Sequence, residues 1–140
     1  MTAQNTQFSK HWNLQQFIGK TVFDNKGQDC GKIKSILIDP QKFSISRIMV
    51  KKMLSKEYFL SQGYFAEFNE TGLSLNSIPI KPGDKVADID GKNIGKVTQI
   101  NIHPDTNKLE SLEIKSGFKS KIIPSNRIIG VGEEIRIKPF

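Results

Sequence analysis

The residues with most chemistry to offer are few and scattered. His11 and His103 are the only histidines, and Cys30 is the only cysteine. Neither histidine has a cysteine or histidine companion at ligand spacing, so no metal site is expected. A lone cysteine forms no intramolecular disulfide, and Cys30 reads as a small apolar core residue. Asp24 and Asp88 invite a carboxylate-pair reading, but each opens its own four-residue turn, closed by Gly27 and Gly91. An Asp there accepts hydrogen bonds from amides ahead of it, and the glycine takes a positive φ, so both read as turn caps. Asp88, Asp90 and Gly91 lack the later ligands and bidentate glutamate of a calcium loop. The Gly27–Gly31 and Gly91–Gly95 stretches lack the Gly-Lys-Ser/Thr and following helix of a phosphate loop. No Ser-His-Asp set is present. The expectation is a non-enzymatic chain with no catalytic, cofactor or metal residues.

The remaining cluster is basic. Arg47, Lys51, Lys52 and Lys56 surround one loop, and Lys115, Lys119, Lys121 and Arg127 occupy the corresponding region further on. Together they could form an extended cationic strip, a candidate contact for RNA or an anionic membrane. The net charge is +7, and all but three of the 21 basic residues are lysine. Lysine excess favours encounters with polyanions, but base and bidentate phosphate readers more often use arginine. Aromatic residues interleaved with the lysines are sparse, so nucleic acid is not the favoured partner.

These residues are positioned by an internal repeat. Sliding residues 19–51 by 64 positions onto 83–115 aligns ten identities without a gap: Gly19/Gly83, Val22/Val86, Asp24/Asp88, Gly27/Gly91, Gly31/Gly95, Lys32/Lys96, Ile36/Ile100, Ile38/Ile102, Pro40/Pro104 and Lys51/Lys115. A fixed-period match of this kind marks a duplicated structural unit. In each copy a short strand runs into the Asp-to-Gly turn, and Gly31 or Gly95 follows at the mouth of the second strand. A glycine there signals a bulge or close backbone approach. A proline turn and a third strand come next, with Leu112 and Ile114 inward and Ser111, Glu113 and Lys115 outward. A short fourth strand, a loop holding Phe65 or Ile128, and a closing strand complete the unit. Five strands per copy argue all-β architecture, two tandem small antiparallel β-barrels with little helix. Residues 1–12 read as a mobile polar tail, with Phe8 at helical spacing from Trp12. The first unit spans 13–77, a stiff Pro-containing linker 78–82, and the second unit 83–140. A unit of about 60 residues is marginal alone, so the copies should pack on each other or on a second chain.

The string Phe17-Ile18-Gly19-Lys20-Thr21-Val22-Phe23-Asp24, then Gly27, Gly31-Lys32-Ile33 and Ile36-Leu37-Ile38-Asp39-Pro40, resembles the PRC-barrel family. The second copy repeats the pattern over Gly83–Pro104 and ends its fourth strand in Ile123-Pro124. Departures are His103 for the usual Asp, and Ser61 where the second copy has Pro124. The resemblance implies a docking module. Such barrels occur in the photosynthetic reaction centre, in a ribosome-maturation factor, and in small self-associating proteins of archaeal cell division. A self-associating adaptor that docks other proteins, of the archaeal division type, is therefore the preferred expectation. An RNA- or ribosome-associated module is the alternative, and peripheral attachment to anionic membrane a weaker one. Candidate apolar contacts are Trp12 and Phe17 near the start, the strand faces Ile45/Ile48 and Leu109/Leu112, and Phe118 in a loop. With no apolar run able to cross a bilayer and no signal-peptide pattern, a cytoplasmic location is expected.

Overall fold

The computed structural model describes residues 11–139. Most of the expected tail, Phe8 included, lies outside the described residues. Asn13 and Gln16 cap a single helical turn, α1 (Leu14–Phe17), reciprocally through side chain and backbone. Strands β1 (Thr21–Phe23), β2 (Asp29–Asp39), β3 (Ser44–Lys51), β4 (Tyr58–Ser61), β5 (Phe65–Asn69) and β6 (Gly72–Leu75) form the first barrel. Strands β7 (Lys85–Asp88), β8 (Asn93–Ile102), β9 (Leu109–Ser116), β10 (Lys119–Pro124), β11 (Ile128–Val131) and β12 (Ile135–Ile137) form the second. The strand orders, β4-β3-β2-β1-β6-β5 and β10-β9-β8-β7-β12-β11, are the same arrangement twice.

Two details correct the expectation. Each copy has six strands, because the loop expected around Phe65 and Ile128 is a 3-10 turn, Gln62–Tyr64 or Ser125–Arg127, followed directly by a strand. The sheets are also not wholly antiparallel: β6 runs parallel to β1, and β12 parallel to β7. The cause is the 3-10 turn. It lets β4 run on into β5 in the same sense instead of folding back as a hairpin, so the closing strand arrives alongside β1.

The turn and glycine chemistry follows the repeat. Asp24 Oδ1 accepts from the Lys26 and Gln28 amides at 2.8 and 3.0 Å, and Asp88 Oδ1 accepts from the Asp90 and Lys92 amides at 2.9 Å each. Both carboxylates are buried, and these bonds are what make that burial tolerable. At Gly95 a Cβ would stand 2.6 Å from the Lys115 carbonyl oxygen, and at Gly31 one would stand 2.8 Å from a Val50 methyl. Each glycine also sits beside a register shift between the first two strands of its copy. Further shifts recur at matching places in the second strand, Ile33/Ser35 and Val97/Gln99. Such bulges bend and twist a strand, which is how a sheet this small curls.

Alternation then fills two cores. Val22, Ile33, Ile48, Val50, Leu60 and Leu73 are buried in the first, and Val86, Val97, Leu112, Ile114, Ile123 and Ile135 in the second. Ile80 joins the second core and Pro79 is fully buried, so the connection is packed structure as well as a stiff spacer. Among the described residues no helix is long and apolar enough to cross a membrane.

Candidate functional site

The two barrels meet along a seam made of different elements from each. The first contributes β3, β4 and the 3-10 turn; the second contributes the β8–β9 hairpin. Asn107, at the hairpin tip with φ 63°, donates through Nδ2 to the Ser46 carbonyl at 2.7 Å and to Ser46 Oγ at 3.2 Å. Ser61 Oγ donates to the Asn107 carbonyl at 2.9 Å. Lys56 Nζ donates to the Thr98 carbonyl at 3.2 Å. Ile100 packs against both cores. Between these contacts runs a groove of about 470 Å³ lined by Phe59, Tyr64, Ile80, Ile102, Asn107 and Leu109, among others. It is chiefly apolar. Asn107 Oδ1 is buried there without a hydrogen-bond partner.

The eight basic residues do not gather into one strip. Arg47 lies over the Phe59 ring, 5.7 Å from its centroid, and lines a seam groove with Glu110 and Ser111. Lys56 is engaged across the seam, and Lys52 Nζ donates to the Asp29 carbonyl at 2.8 Å. Lys119 and Lys121 share a groove with Asp88 and Lys92 on the second barrel, whereas Lys115 lines a different one. Arg127 bonds the Pro139 carbonyl. The barrels contact each other through unlike elements, so equivalent loops are not brought rim to rim.

A basic feature that sequence reasoning missed does exist. Lys85 is paired in register with Lys96, and Lys96 with Lys115, making a row of three lysines across β7, β8 and β9. These residues line a groove of about 410 Å³ with Asn93 and Glu134. The Glu134 carboxylate is already bonded to Arg136 at 2.6 Å.

The apolar candidates divide sharply. Ile48 and Leu112 are buried in the cores, so neither can present a contact face; their strand positions alternate inward. Ile45 and Leu109 are half-buried and pack against the core edges. Trp12 and Phe17 cover Phe68, edge-on at 4.8 Å and stacked at 3.9 Å between centroids, so α1 serves as a lid on the first barrel. Phe118 stands fully exposed at the β9–β10 tip. Its counterpart Leu54 is equally exposed, beside Met53 at φ 46°. Phe43 and Ile122 are exposed as well. Alternation alone points to Ile122, since an inward Ile123 forces its neighbour outward.

Buried titratable groups are held by structure. Tyr58 donates from its hydroxyl to the Cys30 carbonyl at 2.6 Å, and burial pushes its ionisation far above the ordinary range. Burial likewise raises the Cys30 thiol, which makes it a weak nucleophile. Among the described residues, no three of His, Cys, Asp and Glu are grouped so as to hold a metal ion. The family model of the PRC-barrel domain matches residues 13–70 and again residues 83–140. No curated protein matches the chain.

Proposed function

From the premise that this chain belongs to the PRC-barrel domain family, in two copies, we propose that it is a non-enzymatic assembly module. Its two unlike barrels, fixed at the seam, self-associate and dock other proteins. The observation that carries this reading is the contrast between matched and unmatched positions. The repeat keeps Asp24/Asp88, Gly31/Gly95 and the core aliphatics, whereas Lys34/Thr98, Gln41/Asp105 and Leu54/Phe118 differ on the outside. Two similar frames with different surfaces suit an adaptor that holds two partners at once. Within that class, the finer reading is an adaptor of an archaeal cell-division apparatus; it extends the family match, which supplies the barrel and not the setting.

Affinity capture from the native cell with mass spectrometry, paired with light scattering of the purified chain, tests the reading. Self-association at low micromolar concentration and a salt-resistant protein partner are expected; a strict monomer that captures no protein would sink it. A second reading, RNA or ribosome association, draws support from the Lys85–Lys96–Lys115 row. It predicts affinity that falls steeply with added salt, and loss of binding when Lys85, Lys96 and Lys115 are reversed to Glu.

A further inference from the structure

The seam uses two faces, and the repeat supplies each face twice. The acceptor face of the first barrel is Ser46, Phe59 and Ser61; the docking face of the second is the β8–β9 hairpin with Ile102, Asn107 and Leu109. Strand register gives the counterparts directly. Pro124 opposes Ser111 as Ser61 opposes Arg47, and Ile122 opposes Glu113 as Phe59 opposes Met49. The second barrel therefore carries an acceptor face of Glu110, Ile122 and Pro124. The first carries a docking hairpin with Ile38, Phe43 and Ile45, and Phe43 holds the same left-handed conformation as Asn107, φ 51° against 63°.

The described residues leave most of both second faces open. Phe43 is 89% exposed, Ile122 66% and Ile38 42%, whereas Asn107, Phe59 and Ile102 are all half-buried at the seam. A bulky residue held at positive φ in full solvent is an unusual combination, because the conformation is strained and the ring gains nothing from it. The substitutions also match across the two faces. Inside the chain the clasp is polar, Asn107 with Ser46 and Ser61. On the open faces Phe43 replaces the Asn and Pro124 replaces Ser61, so these two positions turn apolar together. Lys42 replaces Thr106 and Glu110 replaces Ser46, so the hairpin gains a positive charge and the acceptor strand a negative one.

We propose that the open faces dock on each other between two copies of this chain. The Phe43 hairpin of one molecule seats on the Ile122/Pro124 face of the next, repeating between molecules the contact already made within each. A contact between unlike faces does not exhaust itself in a dimer; it propagates head to tail. The proposal rests on the interaction-module reading and specifies which surfaces self-associate.

Sedimentation of the full chain between 1 and roughly 500 µM tests it, with the Phe43→Asp and Ile122→Asp variants; a buried charge at either face costs far more than a tenfold loss requires. Both positions are exposed, and circular dichroism checks that each variant is folded. The wild-type mass should climb with concentration past the dimer, with little salt dependence. Each variant alone should associate at least tenfold more weakly. An equimolar mixture of the two should form a dimer and stop there, because each retains the face the other has lost. A monomeric wild type, variants that assemble as the wild type does, or a mixture that stays monomeric would each overturn the proposal. A monomeric wild type that still captures another protein would leave the adaptor reading standing, and association indifferent to both substitutions would move it to other surfaces.

Discussion

The ionisable groups withdrawn from water in this molecule differ in how far their surroundings satisfy them. Asp24 and Asp88 accept two amide hydrogen bonds each and close their turns. Tyr58 spends its hydroxyl on the Cys30 carbonyl. Asp84 is different. Its carboxylate accepts from the Lys81 amide at 2.8 Å and lies 3.7 Å from the Lys81 ammonium, yet burial outweighs both and raises its ionisation above the ordinary carboxylate value. The folded state therefore binds this proton more tightly than the unfolded chain does. Its contribution to stability is fully present below the unfolded pKa and is lost as pH rises through the raised folded value. An Asn at this position keeps an acceptor for the Lys81 amide without the charge. The Asp84→Asn variant should accordingly compare best with the wild type near neutral pH. That advantage should shrink as pH falls into the range just above the ordinary carboxylate value. Thermal melts of both proteins across pH 4 to 7 read the difference; a gap that stays constant, or widens on acidification, contradicts the assignment.

At the level of strands, the row of Lys85, Lys96 and Lys115 places like charges directly opposite one another twice over. Like charges directly opposite one another on neighbouring strands are destabilising. The first barrel carries Thr21, Lys32 and Lys51 in the matching row, and so has one opposed lysine pair where the second has two. Threonine suits an exposed strand position, so Lys96→Thr should raise the melting temperature at low salt, and Lys32→Thr should raise it by about half as much. Both gains should fade in about 1 M salt, where screening acts within about 3 Å. Salt-independent changes, or equal gains from the two variants, would show that charge opposition is not the cause. The lysines themselves were plain in the sequence, but their opposition depends on register, which one-residue bulges set. The Asp–Gly turns and the constricting glycines were legible because a single residue type carries each. The β4–β5 corner was not. A 3-10 turn that preserves strand direction has no dedicated residue, and Phe65-Ala66-Glu67-Phe68 alternates too weakly to announce a strand.

For the molecule as a whole, the seam is the feature that single-chain patterning could least reveal. Repeats predict two barrels, and small size predicts that they pack, but identity between copies cannot say which face of one meets which face of the other. The answer lies at positions where the copies differ, such as Asn107 against Phe43 and Ser61 against Pro124. The same seam should make the barrels fold as one unit. A barrel of this size retains little margin by itself, and Ile100 contributes to both cores while Asn107 ties the hairpin tip to Ser46. Ile100 and the Asn107 bond are both half-buried, so truncating the isoleucine costs about 2 kcal/mol, the low end for a packed Ile→Ala change, and losing the hydrogen bond about 1 kcal/mol more. An Ile100→Ala, Asn107→Ala double variant should therefore remove enough coupling to separate the two transitions. Trp12 is the only tryptophan and packs edge-on against Phe68, so its fluorescence reports the first barrel alone. In the wild type, urea unfolding followed by Trp12 fluorescence and by far-ultraviolet circular dichroism should give one midpoint, as a two-state molecule requires. In the double variant the circular dichroism curve should split while the fluorescence curve keeps a single transition that matches one of its steps. Coincident curves in the double variant would place the coupling outside Ile100 and Asn107, and divergent curves in the wild type would mean that the barrels fold independently despite the seam.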